Sequence, residues 1–183
     1  MMKSVVYIYM ALDFLYASDA MNINFGPDED GNDLVVNVLD KIINDEKNDI
    51  TIVKGKFGYT PNKNELSFDA ENGIKFYKDT SKKLEGDNIG SNSPSSGLAH
   101  ELIHGYNDLY DINYQTRRDD TKSTRGKISK TPEGYDVSFS NAEEKYTTTL
   151  SNQVNEKLRE DKRNNYGILF YQTQSPTTIK PKE

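Results

Sequence analysis

The two histidines of this chain, His100 and His104, stand four residues apart, and Glu101 directly follows the first of them. If the segment is helical, residues four apart lie on one face, one turn above the other, so both imidazoles can bind one ion. The adjacent carboxylate lies about 100° around the helix and reaches a water held by that ion. The H-E-x-x-H spacing predicts two zinc ligands and a general base on one helix, as in zinc-dependent hydrolases.

The segment before the first histidine has a clear helix start signal. Ser93 is a favoured N-cap residue, and Pro94 fits the first helical position, where no backbone N–H is needed. We predict a helix from Pro94 to about Asp108 that carries both histidines on one face.

The third protein ligand of the predicted zinc site must be an aspartate or a glutamate. Catalytic zinc takes three protein ligands and one open position, and this chain has no cysteine and no third histidine. Some families place the third ligand six residues after the second histidine, but here Tyr110 stands at that position. Asp108 and Asp111 are nearby alternatives, although Asp108 has a poor chelating angle if the helix continues and Asp111 needs a sharp turn.

A pair of glutamates, Glu143 and Glu144, offers the stronger candidates. They stand at the start of a second predicted helix, from about Asn141 to Lys162, which can pack against the first. Ser140-x-x-Glu143 and Asn141-x-x-Glu144 also fit a capping box, in which a glutamate only completes the helix start. The residues alone leave both roles open.

The remaining segments predict a small mixed fold. Periodic apolar residues indicate a helix over residues 34–44, and an Asn-Gly pair at 72–73 indicates a hairpin turn between two strands. Residues 111–136 are almost wholly polar and are expected to form a surface excursion, either an insertion or a substrate-binding loop, with insertion favoured. Strands are predicted at residues 50–54, 66–69, 73–77, 137–139 and 168–171.

These elements predict an α+β fold, with a small twisted sheet packed on helices and two long helices carrying the site. The length of 183 residues fits one domain, assigned to residues 1–171, and residues 172–183 are expected to be a disordered tail. Residues 5–16 are apolar and predict a first helix or strand of the fold rather than a cleaved export signal. Asp13 interrupts the run, and no small-x-small cleavage site follows it.

The net charge and the hydropathy pattern restrict the partners. A formal net charge of -6 argues against nucleic acid or an anionic membrane surface. No stretch approaches the roughly 20 apolar residues of a membrane-spanning helix. We expect a monomeric chain with neither nucleic acid nor membrane as its partner.

The H-E-x-x-H segment and a second block resemble the NleD-type effector metalloproteases. Residues 97–107 are similar to the active-site helix of that family. The family's second block carries a double glutamate, a nearby threonine, an asparagine and an Arg-x-x-Tyr followed by glycine. The similarity extends over residues 66–167, and the residues before 66 match only loosely. In this chain the second block consists of Glu143, Glu144, Thr147, Asn152, Arg163, Tyr166 and Gly167, in the same order and at fitting spacing.

A similar arrangement of site residues occurs in the light chains of clostridial neurotoxins. Together with this arrangement, the resemblance implies a role for each carboxylate. It implies that His100, His104 and Glu143 bind zinc and that Glu101 is the general base. Glu144 would then support the metal-binding histidines without touching the ion.

The resemblance also implies that Arg163 and Tyr166 face the scissile carbonyl, where a guanidinium and a phenol can donate to the developing oxyanion. Taken alone, the two residues also fit a cation at a helix C-terminus and an ordinary buried tyrosine. The family's glycine after the threonine is missing here, with Thr148 in its place, and this leaves Glu144 open as the ligand.

Together these features predict a zinc-dependent endopeptidase of zincin fold that cleaves a protein substrate. In zincins an edge strand before the active-site helix pairs with the substrate backbone, and residues 73–77 are the natural candidate. NleD-type proteases are delivered by bacteria into host cells or carried as toxin domains. The resemblance implies secretion or delivery into a host cell, with the cytoplasm as the alternative. The rival interpretations are a catalytically inactive zincin-fold binding module and a toxin domain detached from a longer chain.

Overall fold

The computed structural model describes residues 2–125 and 130–182, which contain six α-helices and eight strands. No helix within these ranges is long and apolar enough to cross a membrane. The helices are α1 (Met2–Ala17), α2 (Val38–Ile43), α3 (Pro94–Tyr110), α4 (Tyr114–Asp119), α5 (Lys122–Arg125) and α6 (Ala142–Lys157). The strands are β1 (Asn22–Pro27), β2 (Asp33–Asn37), β3 (Thr51–Lys54), β4 (Gly58–Thr60), β5 (Glu65–Phe68), β6 (Asn72–Tyr77), β7 (Ile89–Asn92) and β8 (Ile168–Gln172).

The main apolar core lies around α3, which contacts α1, α2, α6 and the strands β4, β5 and β6. Leu15 of α1, Leu102 of α3 and Val154 of α6 are each at most 2% exposed. Burying a side chain of this kind contributes roughly 1.5–3 kcal/mol, so these contacts hold the three helices together. Residues 5–16 belong to the fold as part of a helix, which is one of the two forms predicted for them.

The strands form three small sheets rather than the single sheet expected. β1 pairs with β2, β3 and β4 flank β5, and β7 and β8 flank β6. β3 runs parallel to β5, and the other four pairs are antiparallel. Small, mostly antiparallel sheets packed with helices confirm the α+β class.

The hairpin predicted at the Asn-Gly pair 72–73 is wrong, because β5 and β6 belong to different sheets. Gly73 lies inside β6, where a Cβ would lie 2.8 Å from the carbonyl oxygen of Asn92 and 2.9 Å from Cγ2 of Thr173. The glycine allows neighbouring strands to approach closely and does not form a turn. Asp69 shapes the connection instead, since its carboxylate accepts two backbone N–H groups that follow it.

β6 is the central strand of its sheet. One of its edges hydrogen-bonds to β7 and the other to β8. The prediction that residues 73–77 pair with a substrate backbone is therefore wrong, since a peptide can add only to a free edge. β7 and β8 are the outer strands, and Phe170 of β8 is in register with Ile74 of β6.

The first part of the helix predicted over residues 34–44 forms β2 instead, and α2 begins only after Asn37. The side-chain oxygen of Asn37 accepts the backbone N–H of Asp40 at 3.0 Å, an N-cap that sets the helix start. Leu34 and Val35 are 46% and 58% exposed, so the periodic apolar residues do not form one buried stripe.

The second long helix starts after Asn141 as predicted but ends at Lys157 rather than near Lys162. Arg159 has a left-handed φ of 58°, through which a helix cannot continue. No strand forms at residues 137–139, although Val137 is buried.

The polar segment 111–136, predicted to be a surface excursion, is partly helical and packs against the fold. It contains α4 and α5, and both contact α6. Tyr114 of α4 is 3% exposed, so part of the segment is packed against the fold. Residues 126–129 of this segment lie outside the described residues.

Residues 173–182, for which the sequence predicts disorder, turn back on themselves, with Thr173 paired to Pro181. The backbone N–H and the hydroxyl of Ser95 both donate to the carbonyl oxygen of Pro176, at 2.9 and 2.8 Å. This contact joins the segment to the first turn of α3.

Candidate metal centre

Helix α3 begins as predicted, with Ser93 Oγ accepting the backbone N–H of Ser96 at 3.3 Å and Pro94 as the first residue. The helix brings His100 and His104 together, with ring centroids 4.8 Å apart. The two residues are only 9% and 6% exposed. Buried imidazoles need polar partners, and most of these come from α6.

The two imidazoles face the carboxylate of Glu144 on α6. Glu144 Oε2 lies 3.5 Å from His100 Nε2 and 3.3 Å from His104 Nε2. Donor atoms bound to tetrahedral zinc at about 2.0–2.1 Å lie about 3.3 Å from one another, close to both distances. Ligand atoms of the three residues all lie within 4.8 Å of one another, and no other such group occurs within residues 2–125 and 130–182.

Hydroxyl groups of α6 lie within hydrogen-bonding distance of the Nδ1 atom of each imidazole. His100 Nδ1 lies 3.2 Å from Ser151 Oγ, and His104 Nδ1 lies 3.2 Å from Thr147 Oγ1. Ser151 already donates to a backbone carbonyl of its own helix, and Thr147 donates to Glu143 Oε1. Both hydroxyls are thus free to accept an Nδ1–H, which leaves the two Nε2 lone pairs available for a metal ion.

Glu143 lies on the Nδ1 side of the His104 ring, away from the Nε2 atom. Its Oε1 accepts hydrogen bonds from Asn107 Nδ2 at 2.7 Å and from Thr147 Oγ1 at 2.9 Å. Its Oε2 accepts a hydrogen bond from Arg117 Nε at 2.5 Å. Both oxygens of this carboxylate are occupied, and the residue is 1% exposed.

The two glutamates stand in the reverse of the arrangement that the resemblance implied, with Glu144 beside the two Nε2 atoms and Glu143 beside a single Nδ1. Successive residues of an α-helix point about 100° apart, so only one of the pair can face the gap between the imidazoles. Asp108 and Asp111 are not part of the group. Asp108 accepts a hydrogen bond from Tyr59, and Asp111 accepts one from Arg117.

Glu101, Arg163 and Tyr166 line one cleft with His100. Glu101 is 8% exposed, and burial raises the pKa of its carboxyl to about 7. Burial also raises the pKa of Tyr166, which keeps the phenol protonated and able to donate. The apolar residues of the same cleft include Phe57, Ile74 and Phe170.

Asn152 holds the backbone of Arg163 from both sides. Its side-chain amide donates to the carbonyl oxygen of Arg163, and its side-chain oxygen accepts the Arg163 backbone N–H, both at 2.7 Å. Arg163 Nη2 donates to Thr148 Oγ1 at 3.1 Å. These contacts give the buried guanidinium a defined position in the cleft.

The two histidines differ in their electrostatic environment. Burial lowers the pKa of His100 to about 4. Burial acts on His104 in the same direction, but hydrogen bonds to Glu143 and Glu144 outweigh it and raise the pKa of His104 to about 10. Two carboxylates thus favour a positive charge beside them, which a divalent cation bound at the Nε2 atoms would supply.

No family model, no curated protein and no solved structure matches the chain. Two imidazole nitrogens and one carboxylate oxygen, with supporting groups on both Nδ1 atoms, fit zinc and leave a position open.

Four residues that support the site had no role predicted from the sequence, namely Asn107, Arg117, Thr147 and Ser151. Asn107 and Thr147 lie within the two segments that carry the resemblance. The spacing of Thr147 and Ser151 carries a signal, since Glu143, Thr147 and Ser151 follow at intervals of four on one face of α6. Arg117 had no comparable signal, because its contact with α6 arises from the path of the chain after α3.

Proposed function

We propose that this chain is a zinc-dependent endopeptidase of zincin type, with α3 and α6 as the metal-bearing helices. The observation that carries the proposal is the convergence of His100 Nε2, His104 Nε2 and Glu144 Oε2 on one point. The cleft with Glu101, Arg163 and Tyr166 provides the remaining groups that peptide hydrolysis needs.

His100, His104 and Glu144 would hold the zinc ion. When bound, the ion lowers the pKa of water in the site and polarises the substrate carbonyl. Glu101 accepts the proton of the attacking water and donates it to the leaving nitrogen.

Arg163 and Tyr166 donate hydrogen bonds to the oxygen on which negative charge develops. Donors held in place before the reaction need no reorganisation during it. Asn152 fixes the backbone of Arg163, and Thr148 Oγ1 accepts a hydrogen bond from its guanidinium. The proposed substrate is a protein whose extended segment enters beside Phe57 and Phe170. The resemblance to NleD-type proteases supports a secreted effector or toxin that acts on host or competitor proteins.

The Tyr166→Phe substitution is expected to lower kcat for peptide cleavage by about 10²–10³-fold while zinc content stays at the wild-type level. The reason is that the phenol contributes to the transition state and is not a metal ligand. Tyr135→Phe is the matched control, because Tyr135 is 60% exposed. Equal activity of Tyr166→Phe and Tyr135→Phe would remove Tyr166 from the mechanism.

Removal of the metal tests the proposed function itself. Purified protein is assayed on a peptide library before treatment with a chelator, after it, and after addition of one equivalent of Zn²⁺. We expect cleavage to disappear with the metal and to return with zinc. Full zinc occupancy without cleavage of any library member would favour the inactive binding module.

A further inference from the structure

Arg117 of α4 connects the polar segment 111–136 to the metal centre. Its Nε donates to Glu143 Oε2 at 2.5 Å, and its Nη1 donates to Asp111 Oδ2 at 2.8 Å. The guanidinium carbon lies 4.1 Å from the centroid of the Tyr146 ring on α6. A planar guanidinium held by two carboxylates and one ring has little freedom to move.

The carboxylate that Arg117 binds is in contact with a metal-binding imidazole. Glu143 Oε1 lies 3.5 Å from His104 Nδ1 and accepts a hydrogen bond from Thr147, which also faces that nitrogen. Arg117 thus reaches His104 through a single residue.

The buried carboxylate of Glu143 needs a cation beside it. Glu143 is 1% exposed, and a carboxylate so buried is costly unless it is paired and hydrogen-bonded. Arg117 neutralises Glu143 at Oε2, while Glu144 keeps its charge for the group formed with the two histidines. Without Arg117, Glu143 would keep its hydrogen bonds from Asn107 and Thr147 but would lose the cation at Oε2.

We propose that Arg117 is a positioning residue for the metal centre. It fixes the Glu143 carboxylate against His104 Nδ1, and so it orients the His104 ring and sets the affinity for zinc. The inference rests on the zinc site of the proposed function but not on its peptidase activity. It also assigns a role to the segment 111–136, since α4 delivers this arginine to the site.

A purely structural role makes a different prediction. If Arg117 only attaches α4 to α6, its loss lowers the stability of the fold and leaves the zinc affinity of the folded protein unchanged. If it acts through Glu143, its loss lowers the zinc affinity, and the effect depends on the presence of that carboxylate. A double-mutant cycle separates these cases.

The experiment measures the zinc dissociation constant by competition with a chromophoric chelator, together with the absorption spectrum of the Co²⁺-loaded protein. The variants are Arg117→Met, Arg117→Lys, Glu143→Gln and the Arg117→Met/Glu143→Gln pair. Arg118→Met is the matched control, because Arg118 is the next residue of α4 and donates to Tyr114. Far-UV circular dichroism of the metal-free proteins monitors folding.

We expect Arg117→Met to weaken zinc binding by about 10–100-fold and to change the Co²⁺ spectrum, as for other groups that orient a ligating imidazole. Arg117→Lys keeps the charge and is expected to fall between wild type and Arg117→Met. If Arg117→Met does not fold, the Lys variant decides the question alone. In the Glu143→Gln background, Arg117→Met should raise the zinc dissociation constant by less than about threefold. The Arg118→Met control should bind zinc with wild-type affinity.

Wild-type affinity in the folded Arg117 variant, or the same loss with and without Glu143, would overturn the proposal. Failure of the wild-type protein to bind zinc at all would instead contradict the proposed function, so the two failures are distinguishable.

Discussion

The Glu101→Gln substitution is expected to reduce peptide cleavage by about 10²–10⁴-fold and to leave one zinc ion bound. Glutamine has the shape of glutamate but cannot accept the proton of the attacking water. Glu101 is not part of the group formed by His100, His104 and Glu144, so the metal donors stay intact. The measurement compares kcat/KM and zinc content of the variant with those of wild type.

Glu156→Gln is the matched control for this substitution, since its side chain is 66% exposed and forms an ion pair with Lys162. It is expected to cleave at the wild-type rate. If Glu101→Gln binds zinc and also cleaves at that rate, Glu101 is not the general base.

The second large effect distinguishes the two adjacent glutamates. Glu144→Gln is expected to weaken zinc binding more than Glu143→Gln does, because Glu144 Oε2 faces both Nε2 atoms. Loss of a group that only orients a ligand costs about 10–100-fold in affinity, which is the range expected for Glu143→Gln. Loss of the ligand itself should exceed that range.

The test is the zinc dissociation constant of each variant, with circular dichroism as the folding control. Co²⁺-loaded Glu143→Gln should keep a tetrahedral spectrum, whereas Glu144→Gln should not. The opposite order would return Glu143 to the ligand position that the resemblance implied.

Local patterns were sufficient for the starts of the two helices of the site. The four-residue spacing of His100 and His104, and the start signals at Ser93 and Asn141, depend on neighbours within one or two turns. These features were therefore predictable from the chain alone, and the structure places the two histidines together as expected.

Which of Glu143 and Glu144 faces the two imidazoles could not be predicted from local patterns. Both lie in the first turn of α6, and the rotation of α6 relative to α3 decides which one faces the imidazoles. That rotation depends on packing between distant segments, including Asn107 and Arg117 around Glu143.

The errors in the sheets have a similar origin. An Asn-Gly pair is a turn signal in isolation, but Gly73 serves the close approach of β6 to its neighbours. The apolar residues at 34 and 35 fit a helical period as well as a strand. In the structure they lie in β2, which pairs with β1, and α2 begins after the cap at Asn37.

The most direct test of the proposed peptidase maps new protein N-termini in a host-cell lysate. The lysate is incubated with zinc-loaded wild-type protein, with zinc-loaded Glu101→Gln or with wild-type protein plus chelator. We predict a defined set of new N-termini in the first sample that is absent from the other two. The same set of N-termini in all three samples, or none in any sample at full zinc occupancy, would contradict the proposed zinc endopeptidase.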